Sequence, residues 1–296
     1  MQKFLVTGSS SLGLSLFDEH SNITITKKIP GKLKYKNIDI YIGDYIYLEN
    51  DIITNVEKRN NFLDRPRISN IDSLCIIMSL KKPDLSTYLL DSFLTFANYR
   101  NIHSKILFTK TDLIDNKQLE HLKKELLYYT TIGYQIYFIN NKKTTTDDFD
   151  KFLADIKNQK SAFIGQTGVG KSTLLNRIDP NLNRHVDDNE IVTRGRHTTK
   201  DISLIKYDGG FIFDTPGFSD FQLNHLTEID LSIFFPGYNS YSEKCKFTNC
   251  LHLNSTPGCN IINMVKNNKL SPESYDNYLK LFEKLKETKL WKKLVQ

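Results

Sequence analysis

The stretch "GQTGVGKST", residues 165–173, sets Gly165, Gly168 and Gly170 ahead of Lys171 and Ser172, between an apolar run and a helical pattern. Glycine allows the tight turn that points backbone N–H groups inward as an anion nest, and the following helix adds its positive end. In such a loop the lysine, Lys171, reaches the β- and γ-phosphates of a nucleoside triphosphate, and the Ser172 hydroxyl ligates Mg2+. Gln166, Thr167, Val169 and Thr173 complete the phosphate-binding stretch. Downstream, "FIFDTPGF" ends a strand in Asp214-Thr215-Pro216-Gly217. An Asp there holds Mg2+ through water, and the Gly offers its N–H to the γ-phosphate. Alone that tetrapeptide is weak, because turns favour Asp, Pro and Gly; after a strand–loop–helix unit it gains weight. Between the two lies "TRGRHTTK" (193–200), where Thr198 and Thr199 are the candidates for a switch hydroxyl that closes onto Mg2+. The chemistry is phosphoryl transfer.

Which base is held is a separate question, and "LFTKTDL" (107–113) bears on it. Thr109-Lys110-Thr111-Asp112 approximates the guanine-reading pattern Asn-Lys-x-Asp, and it stands upstream of the phosphate loop, the reverse of the usual order. The Asp112 carboxylate can accept both N–H groups of guanine's Watson–Crick edge, a donor pair that adenine lacks. A binding site needs its loops to converge in space, while their order along the chain is free if the old termini can be joined. The expectation is a GTPase domain with its guanine loop moved upstream.

These loops require a sheet to carry them. "SLCIIMSL", "KILFTK", "YQIYFIN", "SAFIGQ", "ISLIKY" and "GFIFDTPG" read as short apolar strands, with helix-length stretches at 84–99, 116–129 and 147–158 between several of them. Strands alternating with helices predict a mostly parallel sheet covered on both faces, with ligands at the C-terminal strand ends. Residues 1 to about 66 differ: "KFLVTG", "NITITKK", "IDIYIGDYIYLEN" and "IITNVEK" are β-like runs broken by Gly, Asn and Asp, the pattern of a small barrel or sandwich. After about residue 225 no strand stands out, and a terminal helix is expected over 272–293.

With 296 residues, 39% hydrophobic and 25% charged, the chain has room for two or three domains and reads as globular. It contains no apolar run of the ~18 residues a membrane span needs, and "MQKFLVTGSSSLGLSLFDEH" lacks the apolar core of a secretory signal, so a cytoplasmic location is expected. The net charge of +6 is uneven: "KKIPGKLKYK" (27–36) carries five lysines and no acid, and 266–293 carries eight lysines against four acids. Either is an ordinary solvated surface by itself; together they favour a polyanionic partner. Three of the four cysteines, Cys245, Cys250 and Cys259, cluster near the C-terminus, which in a reducing compartment points to metal, whereas Cys75 sits in an apolar strand.

The order of guanine loop, phosphate loop, "RGRHTT" and "DTPGF", with "IGDYI" and "RPRISNID" in front and "CKFTNCLHLNSTPGC" behind, resembles the RsgA family of circularly permuted, ribosome small-subunit-dependent GTPases. The resemblance implies an α/β fold: a circularly permuted P-loop GTPase domain (67–225) with an N-terminal OB-fold β-barrel (1–66) that contacts ribosomal RNA. A zinc-binding, mainly helical C-terminal domain (226–296) would follow. It implies one structural Zn2+ on Cys245, Cys250, His252 and Cys259, Mg2+ with GTP, GTP and GDP as ligands, the small ribosomal subunit as partner, no membrane, and a monomer. It also implies a catalytic role for His197: Gly217 is followed by Phe218, where many GTPases carry a water-orienting Gln, and imidazole can orient water or accept its proton near neutral pH. Three departures stand out. Thr109 replaces the usual Asn, one residue more than usual separates His252 from Cys259, and the base-supporting Ser-Ala is missing near "YFINNK", where Asn140 is the candidate. The alternatives are a nucleotide-dependent RNA-binding module and a P-loop kinase, the latter disfavoured by Asp112 and the Cys/His cluster.

Overall fold

The computed structural model describes residues 1–10, 13–28, 39–50, 52–142, 147–180, 202–215 and 223–295. Alternation of apolar and polar residues builds its first strands. In β1 (Gln2–Ser10), β2 (Gly13–Asp18), β3 (Ile23–Lys27), β4 (Tyr45–Glu49) and β5 (Ile52–Val56), Phe4, Val6, Leu14, Leu16, Ile46, Leu48 and Ile53 share one face and close a core. Each such side chain contributes about 1.5–3 kcal/mol when fully buried. The strands form an antiparallel sheet in the order β3-β2-β1-β4-β5, the sheet of an OB-type barrel. On its other face Leu5 and Phe17 pack with Phe211, Phe17 edge-on at 5.5 Å between ring centroids. A short hairpin, β6 (Phe62–Asp64) and β7 (Arg67–Ser69), follows.

The chain divides into two compact units: Met1–Cys75 with Asp150–Ile164 and Lys171–Gly217, and Ile76–Phe149 with Gly165–Gly170 and Phe218–Gln296. The first holds the sheet just described and the strands β11 (Lys160–Ile164), β12 (Ser203–Tyr207) and β13 (Gly210–Asp214). There β11 pairs parallel with β13, and β13 antiparallel with β12. The antiparallel edge, which a mostly parallel sheet allows, has a local cause: Asp208 and Gly209 both take positive φ (35° and 77°), the two-residue turn that Asp-Gly favours in hairpins. The second unit holds β9 (His103–Thr109) paired parallel with β10 (Gln135–Phe138). Strand β8 (Ser73–Ser79) begins in the first unit and ends in the second, so the full order is β10-β9-β8-β11-β13-β12. Every residue of β8 is buried, as befits a strand covered on both faces.

The helices start where side chains can cap them. Ser86 accepts from Leu89 N ahead of α1 (Thr87–Tyr99), and Asp115 from Gln118 N ahead of α2 (Asn116–Thr131). Next come α3 (Asp147–Ile156) and α4 (Lys171–Ile178); the latter buries Leu174 and Leu175. Thr227 and Asp230 form a reciprocal capping box at α5 (Glu228–Phe234). The short α6 (Asn239–Ser242), α7 (Asn260–Lys266) and α8 (Pro272–Val295) complete the second unit. Among the described residues none after Asp214 lies in a strand, and no helix is long and apolar enough to cross a membrane.

One charged group lies inside this helical layer. Asp91 of α1 is fully buried, its Oδ1 accepting from Tyr129 Oη at 3.0 Å and its Oδ2 from Asn277 Nδ2 at 2.9 Å. Burial outweighs these hydrogen bonds and pushes its carboxyl up from 3.8 to about 7, with Glu273 adding to the rise. Between those two values the unfolded chain binds fewer protons than the native one, so the stability this carboxyl contributes falls as pH rises through that window and levels off above about 7. The melting temperature of wild type, relative to Asp91→Asn, is therefore expected to decline from about pH 4 to about pH 8. A difference independent of pH would mean that Asp91 stays ionised throughout.

Candidate nucleotide site and metal centre

Strand β9 delivers the guanine loop and β11 the phosphate loop. Thr109, the last residue of β9, is fully buried, and its Oγ1 donates to Val169 O at 2.5 Å. The two loops, far apart in sequence, are thus hydrogen-bonded to each other. Lys110 takes a left-handed conformation (φ 58°) and its Nζ donates to Lys82 O. This turns the chain into the single helical turn Thr111–Leu113, which carries Asp112. The backbone there is exposed, but the Asp112 side chain is only 18% exposed and its Oδ2 lies 2.9 Å from Lys142 Nζ. A guanine N–H pair arriving at Asp112 would meet that lysine.

Two glycines show why this loop tolerates no side chain. A Cβ on Gly165 would lie 2.4 Å from Ile77 O, so the loop can leave β11 alongside β8 only without one. Gly170 has φ +94°, and a Cβ there would meet Asn141 Nδ2 at 3.1 Å and Thr109 Oγ1 at 3.9 Å. Val169 is buried, while Thr167 and Gly168 are exposed at the tip and Gln166 is half-buried. Helix α4 then begins at Lys171, with Ser172 and Thr173 half-buried in its first turn. The Lys171 ammonium donates to Thr215 O, and Thr215 Oγ1 donates to Phe163 O at 2.7 Å. Thr215 immediately follows the strand that ends in Asp214, so the lysine of one motif touches the backbone of the other. His197, Thr198, Thr199 and Gly217 lie outside the described residues, as does the Asp214 side chain.

In the third loop, after β10, Asn140 Oδ1 accepts from Lys142 N at 2.9 Å, a local turn. Its neighbour Asn141 reaches the phosphate loop: Nδ2 donates to Gly170 O at 3.3 Å, while Oδ1 is buried with no hydrogen-bond partner among the described residues. The double Asn in "INNK" does not reveal which residue turns inward. Asp112's contact with Lys142 was equally invisible, because it joins two loops.

Cys245, Cys250, His252 and Cys259 place their ligand atoms within 4.8 Å of one another, and none of the cysteines is in a disulfide. His252 Nδ1 lies 3.7 Å from Cys245 Sγ and 3.5 Å from Cys259 Sγ. A tetrahedron with arms of ~2.3 Å to sulfur and ~2.05 Å to nitrogen has S···N edges of about 3.6 Å, so the group has the dimensions of a four-coordinate metal site. His252 Nε2 faces Ser232 O at 3.2 Å, and a carbonyl only accepts. The proton therefore sits on Nε2, leaving the Nδ1 lone pair for a metal. Burial lowers His252 to about 4, keeping it neutral, and raises the thiols of Cys250 and Cys259, the latter to about 12. Such thiols ionise only when a cation compensates them.

Tyr275 Oη and Tyr278 Oη hold the carbonyls of His252 and Leu251 at 2.7 and 2.6 Å, and the Tyr238 ring stands edge-on to the imidazole. Between His252 and Cys259 the chain makes a turn closed by Thr256 N to Leu253 O at 2.8 Å. The four residues can hold a metal ion.

Comparison with known proteins bears on this geometry. The RsgA GTPase family matches residues 56–224, and a family described as 50S ribosome-binding GTPase matches residues 160–289. A protein of Malacoplasma penetrans (strain HF-2), named small ribosomal subunit biogenesis GTPase RsgA, is 36% identical over 278 residues, covering 92% of this chain and 95% of its own length. Its namesake in Staphylococcus carnosus (strain TM300) is 35% identical, covering 88% and 89%. The crystal structure of YloQ, described as a circularly permuted GTPase, matches with a TM-score of 0.81 at 31% identity, covering 97% of this chain and 96% of its own. YjeQ from Thermotoga maritima gives 0.82 at 29%, covering 96% and 98%. With the guanine loop bonded to a phosphate loop that follows it in the chain, this protein belongs to the RsgA family of circularly permuted GTPases.

Proposed function

We propose that this chain hydrolyses GTP as a maturation factor of the small ribosomal subunit, with turnover stimulated by that subunit. The observation that carries the reading is the Thr109–Val169 hydrogen bond, which holds a guanine-reading carboxylate beside a phosphate nest despite the reversed chain order. Similarity across most of the chain to proteins named for small-subunit biogenesis supports the choice of partner. The description that names the 50S particle belongs to a match confined to residues 160–289. Residues 1–66 form the OB-fold that grips ribosomal RNA, 67–225 the GTPase domain, and 226–296 the zinc-binding domain, in a monomer working in the cytoplasm.

In this reading Asp112 takes guanine's N–H pair, with Thr109, Lys110 and Thr111 shaping its loop. Residues 165–173 cradle the phosphates, Lys171 moving from Thr215 O to the β- and γ-phosphates. Mg2+ is held by Ser172 with Thr198 or Thr199, and Asp214 and Gly217 serve the metal and the γ-phosphate. Phe218 cannot orient water, so His197 does so. Three thiolates and one imidazole make a closed site suited to a structural Zn2+, which stabilises a small domain and leaves no open position for catalysis.

Titrating GTPase activity with small subunits, large subunits and free RNA tests the function. Small subunits should stimulate turnover and large subunits should not; stimulation by neither particle would leave a nucleotide-dependent RNA binder. In the stimulated assay His197→Ala should lose roughly 10²-fold while still binding GTP and the subunit. Asp112→Asn should weaken GTP and favour xanthosine triphosphate, whose altered edge presents an acceptor; unchanged relative affinities would remove Asp112 from the site. The purified protein should carry about one zinc. Cys250→Ser should lose the metal and loosen residues after about 240 while guanine nucleotide binding persists, and a metal-free preparation made without chelator would refute the assignment.

A further inference from the structure

Thr109 can do only part of what the usual Asn of a guanine loop does. A hydroxyl has one proton to give, and Thr109 gives it to Val169 O. An Asn amide has two N–H groups and could serve two acceptors. The next carbonyl of the phosphate loop, Gly170 O, is held instead by Asn141, from the loop after β10. Both side chains converge on one spot, since a Cβ built on Gly170 would touch the Asn141 amide and the Thr109 hydroxyl. Asn141 Oδ1 is buried with no hydrogen-bond partner among the described residues, so the amide is held there by its N–H group alone.

We infer that Thr109 and Asn141 together replace the two-donor clamp of a single guanine-loop Asn, and that Asn141 is a positioning residue for nucleotide binding. Holding two consecutive carbonyls on the base side fixes the peptide planes of Val169 and Gly170. The N–H groups that follow are then turned toward the phosphates before any nucleotide arrives, which strengthens the nest by preorganisation. The inference rests on the nucleotide site proposed above and adds a residue that the usual guanine-loop pattern does not contain.

The test is a rescue cycle on the full chain, read as affinity and dissociation rate of a fluorescent GDP, with the nucleotide-free melting temperature measured in parallel. Asn141→Ala should bind GDP about five- to tenfold more weakly, mainly through faster dissociation. Asn141→Asp, which puts a carboxylate oxygen against Gly170 O, should be weaker still. Thr109→Asn combined with Asn141→Ala should recover the affinity that Asn141→Ala loses. Wild-type affinity in both Asn141 variants, or a double variant no better than Asn141→Ala, would overturn the proposal. So would a loss of binding that merely follows a lowered melting temperature. Failure of the wild-type protein to bind GDP at all would instead overturn the nucleotide site itself.

Discussion

The hydrogen bond from the Thr109 hydroxyl to Val169 O is the constraint on which the rest of the GTPase core turns. Permutation can reorder strands freely only if loops that jointly bind one ligand still end at one edge of the sheet. Parallel pairing of β9 with β10, and of β11 with β13, sends the loops after them out of the same kind of strand end. The absence of a side chain at Gly165 lets the phosphate loop pass within contact distance of Ile77 O. Thr109 then converts proximity into registration. Its complete burial makes the bond consequential, because an unpaired hydroxyl or carbonyl there would cost about 1–3 kcal/mol.

The metal cluster plays a comparable part at the other end of the chain. The backbone of His252 takes a left-handed conformation (φ 53°), which a non-glycine residue adopts only where its surroundings hold it. Those surroundings are two tyrosine hydroxyls on α8 bonded to consecutive carbonyls, a helix carbonyl behind the imidazole and three sulfurs in front. The orientation of this candidate ligand is thus fixed from the far side, as a metal-bound histidine requires.

Much of this was legible in the sequence because the signals are local. The strand–loop–helix around "GQTGVGKST", the β-like runs of the first 66 residues, and the Cys/His spacing each follow from residues within a few positions. What escaped depends on distant residues. Asn140 Oδ1 accepts from Lys142 N, and it is the amide of Asn141 that meets Gly170 O. Thr109 reads as a weakened base contact in the motif, yet its bond is to the phosphate loop. Asp91 carries no local signal, and only its meeting with Tyr129 and Asn277 makes it a buried carboxyl.

Helix α5 joins the metal centre to the rest of its unit through its C-terminal end. The last carbonyls of a helix have no partner within it. Here Ser232 O accepts from His252 Nε2 and Phe234 O from Asn98 Nδ2, which is also bonded to Tyr134 Oη. One cap is therefore the histidine of the Cys/His cluster, and the other is a residue of α1, the helix that also carries Asp91. A metal on Nδ1 would draw electron density from the imidazole and make its Nε2–H a stronger donor, so metal binding would reinforce the anchoring of α5. The N-terminal end of the same helix is fixed by the Thr227–Asp230 capping box. Both ends of α5 are therefore held by side chains, the first turn by its own capping box and the last carbonyls by His252 and Asn98.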